Sequence, residues 1–255
     1  MARRPHSQVF LHERGIIDRF ASVIPAEPRA PLVEIGPGAG AITRALIAAG
    51  HRVVAVEVDS RLAPGVADLG PSVRVVVGSI LDFRPRDLSA PPVRIVGALP
   101  YHLSGAILRW LADWADEVAF AALILQDEVV ERMGAPAGHP SRGLLSVILQ
   151  SVYQVKPLFR ISPGAFVPAP KVWSRAVALS RRAGADPVDA LTPVWDLARA
   201  VFQHRRKMIR TGIARAYGED ACRRAEMSHV DLTLRAERLS LTDLETLATA
   251  LTRGA

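Results

Sequence analysis

Val33-Glu34-Ile35-Gly36-Pro37-Gly38-Ala39-Gly40 is the stretch on which the reading of the fold turns. A short strand runs directly into three glycines spaced two apart, and an apolar helical pattern (Ile42, Leu46, Ile47) follows and closes at Gly50. Glycines let the backbone turn tightly with no Cβ in the way, so a ligand can lie against the main chain at a helix N-terminus. The spacing G-x-G-x-G differs from the dinucleotide fingerprint G-x-G-x-x-G. By itself the stretch therefore points only to a nucleotide-like site on an α/β sheet.

Outward from it, the chain alternates strands and helices. His51-Arg52-Val53-Val54-Ala55-Val56-Glu57-Val58-Asp59 is continuously apolar until its end, as strands buried on both faces are. Further strands are predicted at 32–36, 73–77, 93–97 and 118–126, with helices over 41–49 and 104–114. Before the glycine turn, Ile16, Ile17, Phe20, Val23 and Ile24 have helical spacing that Pro25 ends. Strands and helices alternating in this way give a doubly wound, mainly parallel sheet. After about residue 180 the pattern changes. Arg181-Arg182-Ala183-Gly184-Ala185-Asp186-Pro187 reads as a linker, and the periodic segments beyond it (194–201, 207–217, 221–227, 241–251) are all helical. The expected organisation is a ligand-binding catalytic domain over 1–182 and a small all-helical C-terminal domain over 187–255.

The bulk properties bound the function. With 255 residues, 49% of them hydrophobic, the chain can bury a substantial core and is not a disordered chain. No run of about 18 uncharged apolar residues is present, so no membrane span and no membrane partner are expected. The N-terminal Met1-Ala2-Arg3-Arg4-Pro5-His6 lacks an apolar segment, so no secretory signal is expected. The single cysteine, Cys222, cannot close an internal disulfide, which fits a reducing cytoplasm. The net charge of +7 suits a polyanionic partner such as RNA, although the arginine-rich, alanine-rich composition weakens that inference. The seven histidines show no ligand spacing, so no metal is expected.

Two further features sharpen the glycine turn. Glu57 closes the second strand of the alternation about 20 residues beyond the turn, where a carboxylate meets ribose hydroxyls in such folds. A carboxylate accepts two hydrogen bonds from a diol. The fourth strand leads into Gly97-Ala98-Leu99-Pro100-Tyr101-His102-Leu103-Ser104. A small residue followed by Leu-Pro-aromatic looks like the acceptor loop of amino-methyltransferases: proline fixes the chain, a backbone carbonyl faces the acceptor, and the ring stacks on a planar substrate.

Taken together these motifs resemble the S-adenosylmethionine-dependent ribosomal RNA adenine dimethyltransferases of the KsgA type, with the Erm resistance enzymes as cousins. Gln8-Val9-Phe10-Leu11 is similar to that family's Q-N-F-L, Val33 to Gly40 to its V-E-I-G-P-G-x-G, and Glu57-Val58-Asp59 to its E-x-D. Gln126 to Arg132 and Arg142 to Val147 resemble its fifth-strand region. Phe166-Val167-Pro168-Ala169-Pro170-Lys171-Val172-Trp173-Ser174 resembles F-x-P-x-P-K-V-D-S, and Phe202 to Arg210 resembles F-x-x-R-R-K-x-I-R. The resemblance implies a Rossmann-like class I methyltransferase that binds S-adenosylmethionine and releases S-adenosylhomocysteine. The implied cofactor contacts are Gln8, Phe10, Leu11, Gly36, Gly38, Gly40, Glu57, Val58, Ser79, Ile80 and Ala98. Leu99, Pro100, Tyr101 and His102 form the implied catalytic loop.

Three departures fall on functional positions. The asparagine of the family's N-L-P-Y is Ala98, and that of Q-N-F-L is Val9. The acid after the third strand is Ser79, with Asp82 three residues on. In addition, the aspartate of P-K-V-D-S is Trp173. The adenine 6-amino nitrogen is a poor nucleophile because its lone pair is delocalised into the ring. An asparagine oxygen and the neighbouring carbonyl accept its two N–H bonds and hold it pyramidal. Ala98 leaves only the Leu99 carbonyl, a loss of about 1–3 kcal/mol, or roughly one to two decades in rate.

Two acceptors therefore compete. One is a ribosomal RNA adenine, supported by the charge, by Arg205-Arg206-Lys207 and by the helical domain. The other is a small aromatic N-heterocycle of indole type in natural-product biosynthesis, towards which Val9, Ala98 and Trp173 each move the pocket; from these residues alone the heterocycle is preferred. On that reading Tyr101 stacks on the ring, Phe166 packs on its other face, Val9, Glu13 and Trp173 complete the substrate site, and His102 or Glu13 is the general base. A third reading is an RNA-binding assembly factor that binds the cofactor without turning it over.

Overall fold

The computed structural model describes residues 9–25 and 31–252. Gln8, one of the expected cofactor contacts, lies outside them. The chain forms two compact units, one of residues 1–130 and 155–181, the other of residues 131–154 and 182–255. The change at 181–182 falls at the expected linker. Residues 131–154, placed with the catalytic domain on sequence, group with the helical unit instead.

In the first unit the elements run β1 (Phe10–Leu11), α1 (Arg14–Ala21), β2 (Leu32–Ile35), α2 (Ala41–Ala48), β3 (Val53–Glu57), α3 (Ala63–Ala67), β4 (Val73–Val77), α4 (Pro85–Leu88), β5 (Val93–Ala98), α5 (Ser104–Asp113) and β6 (Val118–Gln126). Then come α6 (Asp127–Gly134), which crosses into the second unit, α7 (Leu144–Val152) of that unit, and, with the chain back in the first unit from residue 155, β7 (Tyr153–Ile161), β8 (Phe166–Val167) and β9 (Ser174–Arg181). Seven strands make one sheet in the order β4-β3-β2-β5-β6-β9-β7. The strands from β4 to β6 pair in parallel, and β9 is antiparallel to β6. The buried strands are the continuous apolar runs: every residue of β2 and of β3 is buried, Glu34 and Glu57 included.

Chain order reverses at β2. From β2 it proceeds through β3 to β4 on one side, and it resumes with β5 and β6 on the other. Such a switch point opens a crevice at the carboxyl ends of the strands, where ligands of doubly wound sheets bind. The glycine turn leaves β2 and the Leu-Pro-Tyr loop leaves β5, so the topology sets the two motifs side by side. Their approach is close: a Cβ on Gly97 would fall 2.6 Å from the Ile35 carbonyl oxygen, so only glycine fits there.

A second, two-stranded sheet pairs β1 with β8, Phe10 opposite Val167 and Leu11 opposite Phe166. Leu11 and Phe166 sink into the apolar cluster of the first unit with Phe20, Leu46, Val96 and Ile124. The helical unit contains α7, α8 (Val188–Gln203), α9 (Ile209–Tyr217), α10 (Glu219–Glu226) and α11 (Leu241–Thr252). Its own core includes Leu191, Trp195, Leu197, Ile213 and Leu247. Trp195 donates its indole N–H to Ser151 at 2.9 Å, tying α8 to α7.

Candidate active site

Gly36, Gly38 and Gly40 all take positive φ, +66°, +56° and +77°, a path that L side chains rarely follow. Gly38 needs its missing side chain twice over, because a Cβ there would meet the Phe10 ring at 2.7 Å. Phe10 is thus brought to the turn by the β1–β8 pairing, and Leu11, pointing the other way along the strand, goes into the core.

Glu57 closes β3 with only 3% of its surface exposed. One carboxylate oxygen accepts the Gly38 N–H at 3.0 Å and the other accepts the Asp59 N–H at 2.9 Å. Each oxygen carries a further lone pair. The same carboxylate therefore locks the glycine turn and presents two oriented acceptors to a diol. Beneath it, Glu34 on β2 is fully buried and accepts the Thr43 hydroxyl of α2 at 2.6 Å. Burial pushes the Glu34 carboxyl up to about 7, the Thr43 hydrogen bond opposes that rise and the Glu57 charge adds to it.

S-Adenosylmethionine fits this crevice on the features present. The crevice offers the Glu57 acid for a ribose diol, exposed backbone at Gly36 with nothing within 4 Å of where a Cβ would stand, and exposed apolar side chains at the ends of β3 and β4. Val58 and Leu81 are exposed there, beside the buried Ile80, and supply faces that an adenine ring would cover. Ser79 caps the 3-10 turn Ile80–Asp82 by accepting the Leu81 N–H at 3.3 Å, and Asp82 is exposed. The hydroxyl of Ser79 keeps its own O–H and a lone pair for a ligand.

On the other side of the switch point, the Leu99 N–H donates to the Ile124 carbonyl at 3.0 Å, and the Leu99 side chain is buried. The Pro100 carbonyl accepts the Leu103 N–H at 3.0 Å and the Ser104 hydroxyl at 3.2 Å, which fixes the turn after the loop. The Tyr101 hydroxyl meets the Ser174 hydroxyl at 2.8 Å, and Ser174 is fully buried at the start of β9. Ser174 was not among the expected site residues; its signal was its place as the last residue of the quoted Phe166–Ser174 motif.

The remaining expected substrate residues divide. Val9 and Ala98, the two positions where asparagine would stand, both pack half-buried against the apolar cluster of the first unit. Phe166 is 4% exposed and belongs to that cluster, so its ring is core, holding β8 against the domain. Trp173 is 46% exposed with the Arg160 guanidinium 4.9 Å above its ring. The expectation that Trp173 moves the pocket towards a small aromatic heterocycle is corrected: a half-exposed ring under a guanidinium stands at the surface. Glu13 is exposed at the N-cap of α1, and no hydrogen bond or ion pair among the described residues joins its carboxylate to the loop. His102 is exposed in the 3-10 turn Tyr101–Leu103.

Comparison with known proteins bears on the same architecture. The ribosomal RNA adenine dimethylase family matches residues 1–252. A ribosomal RNA small subunit methyltransferase A of Hahella chejuensis is 36% identical over 255 residues, covering 97% of this chain and 92% of its own. Among solved structures, the 23S rRNA methyltransferase ErmE is 25% identical with a TM-score of 0.72, covering 95% of this chain and 99% of its own. A dimethyladenosine transferase from Plasmodium falciparum, 20% identical with a TM-score of 0.77, covers 93% of this chain and 95% of its own and shares the fold.

Proposed function

The chain belongs to the ribosomal RNA adenine dimethylase family and is an S-adenosylmethionine-dependent methyltransferase, and from that premise we propose that it methylates the 6-amino nitrogen of adenines in small-subunit ribosomal RNA. The observation that carries this reading is near-full-length identity of 36% to a relative named for that substrate. When bound, S-adenosylmethionine supplies an electrophilic methyl group on sulfur. The residues of the chain then have defined tasks. Glu57 holds the ribose, Leu99 and Pro100 shape the approach to the target nitrogen, and the Leu99 carbonyl accepts one of its N–H bonds. Tyr101, braced by Ser174, stacks on the base. Such a site works mainly by positioning the nucleophile. Transfer of labelled methyl to adenine in small ribosomal subunits tests the reading.

A second reading has Ala98 behind it. An acceptor with no amino group to hold, such as the electron-rich C3 of an indole-type heterocycle, does not need the missing asparagine oxygen. The apolar packing of Val9 and Ala98 suits it. The near-full-length relatives and the family match over residues 1–252 outweigh that observation, since they extend through the helical unit and not only the cofactor-binding sheet. Incorporation of label into indole compounds and not into RNA would support it.

A further inference from the structure

The start of β9 carries a charged aromatic cluster that methyl transfer itself does not use. The register places Ser174 opposite Gln126, at the carboxyl end of β6, and Ala98 opposite Ile124 on the neighbouring strand. Trp173, one residue before Ser174, therefore stands at the same end of the sheet as the acceptor loop. Its carbonyl accepts the Asp127 N–H at 3.0 Å. The Asp127 carboxylate in turn pairs with Arg160 at 2.8 Å and Arg175 at 2.6 Å. Arg160, held there by Asp127, lies 4.9 Å from the centre of the Trp173 ring.

The cluster is built to hold an indole in place without burying it. Two arginines against one carboxylate leave a net positive charge beside the ring. Val172 next to it and Val167 on β8 are also exposed, at 43% and 56%, and the exposed Lys171 lies between them in the chain. A fixed aromatic face with a guanidinium over part of it and cationic surroundings matches the chemistry of a nucleotide, a planar base carrying a phosphate. An acidic peptide would match the charge but carries no planar group joined to an anion at the spacing of a base and its phosphate.

Resting on the RNA reading above, we propose that Trp173 is a stacking platform for a base flanking the target adenine in single-stranded RNA, with Arg160 fixing the ring and facing the adjoining phosphate. The platform makes Trp173 a specificity-determining residue that acts in acceptor binding and leaves cofactor binding and the transfer step untouched.

The test is fluorescence anisotropy of a labelled single-stranded oligoadenylate titrated with the full chain in the presence of S-adenosylhomocysteine, at fixed salt. Trp173→Ala should weaken binding about tenfold, the lower part of the range for one base stack. Trp173→Phe, which keeps an aromatic face, should recover most of it. An abasic strand of the same length should bind wild type and Trp173→Ala alike. In methylation assays Trp173→Ala should raise KM for RNA with kcat held. Equal oligoadenylate affinity of wild type and Trp173→Ala, or no preference of wild type for the base-bearing strand, overturns the platform. Oligoadenylate binding that depends on Trp173 in a protein that methylates no RNA would overturn the proposed function and leave the platform standing.

Discussion

Tyr101 and Ser174 stand 73 residues apart in the chain and share a 2.8 Å hydrogen bond between their hydroxyls. That bond joins the loop after β5 to the first residue of β9, across β6, which lies between the two strands in the sheet. It restricts the tyrosine ring that the proposed mechanism lays against the acceptor. Ser174→Ala leaves a part-buried phenol O–H short of its partner and should cost about 1 kcal/mol of stability. The larger effect should be on activity: a rise in KM for the acceptor with unchanged S-adenosylmethionine affinity, read by steady-state kinetics beside equilibrium dialysis. Tyr101→Phe should reproduce the kinetic effect, and Tyr101→Ala should exceed it.

Glu57 does two jobs with one carboxylate, and its substitution should show both. Glu57→Ala removes the acceptors of the Gly38 and Asp59 N–H groups together with the two acceptors for ribose. Cofactor affinity should fall by at least tenfold, since hydrogen bonds to a charged group contribute about 1.5–3 kcal/mol. Glu57→Gln keeps one acceptor oxygen and should fall between. Equilibrium dialysis with labelled S-adenosylmethionine measures both, and wild-type affinity in Glu57→Ala would remove the ribose assignment.

Ala98 is the position at which restoration is more informative than removal. Ala98→Asn returns an acceptor for the second N–H of an adenine amino group at the end of β5. If the acceptor is adenine, RNA methylation should rise by about one decade, from a hydrogen bond of about 1–3 kcal/mol realised in the transition state. The rise should appear in kcat and should be absent with a substrate that lacks an amino group.

Glu34 gives the fold a pH dependence of predictable sign. Its carboxyl titrates at about 7 in the folded protein against 4.5 as the ordinary value. Below 4.5 the group is protonated in both states and makes no difference. As pH rises from there towards 7, the unfolded chain ionises first and the folded state loses stability. The full loss is about 3 kcal/mol. Glu34→Gln should flatten this slope and be more stable than wild type relative to it at pH 8. Denaturant melts between pH 5 and 8 measure it; parallel curves for the two proteins would contradict the burial of a protonated Glu34.

The strands at 32–35, 53–57 and 93–98 and the two loops that leave β2 and β5 were legible because each is encoded locally. Strands covered on both faces must be apolar throughout, and a turn against a ligand must be glycine. What escaped was non-local. Strand β7 carries mixed exposure along its length, so no continuous apolar run announces it, and the apolar run of β9 is only the four residues Ala176 to Leu179 between polar ends. The pairing of Phe10 with Val167 joins segments more than 150 residues apart, and nothing in either segment names the other. The same holds for Asp127, whose two arginines come from β7 and β9. Trp173 illustrates the limit most sharply. As a letter it suggested a filled pocket, and only its neighbours in space, an arginine above and solvent beside, show it to be a surface ring.

The central claim is that the methyl group goes to adenine in ribosomal RNA. Its most direct test is to incubate the protein with methyl-labelled S-adenosylmethionine and small ribosomal subunits lacking adenine dimethylation, with indole compounds in a parallel reaction, and then to digest the RNA to nucleosides. The account predicts label in N6-methylated adenosines of the RNA and none in the indole products. Label confined to the heterocycle, with the RNA untouched, would contradict it.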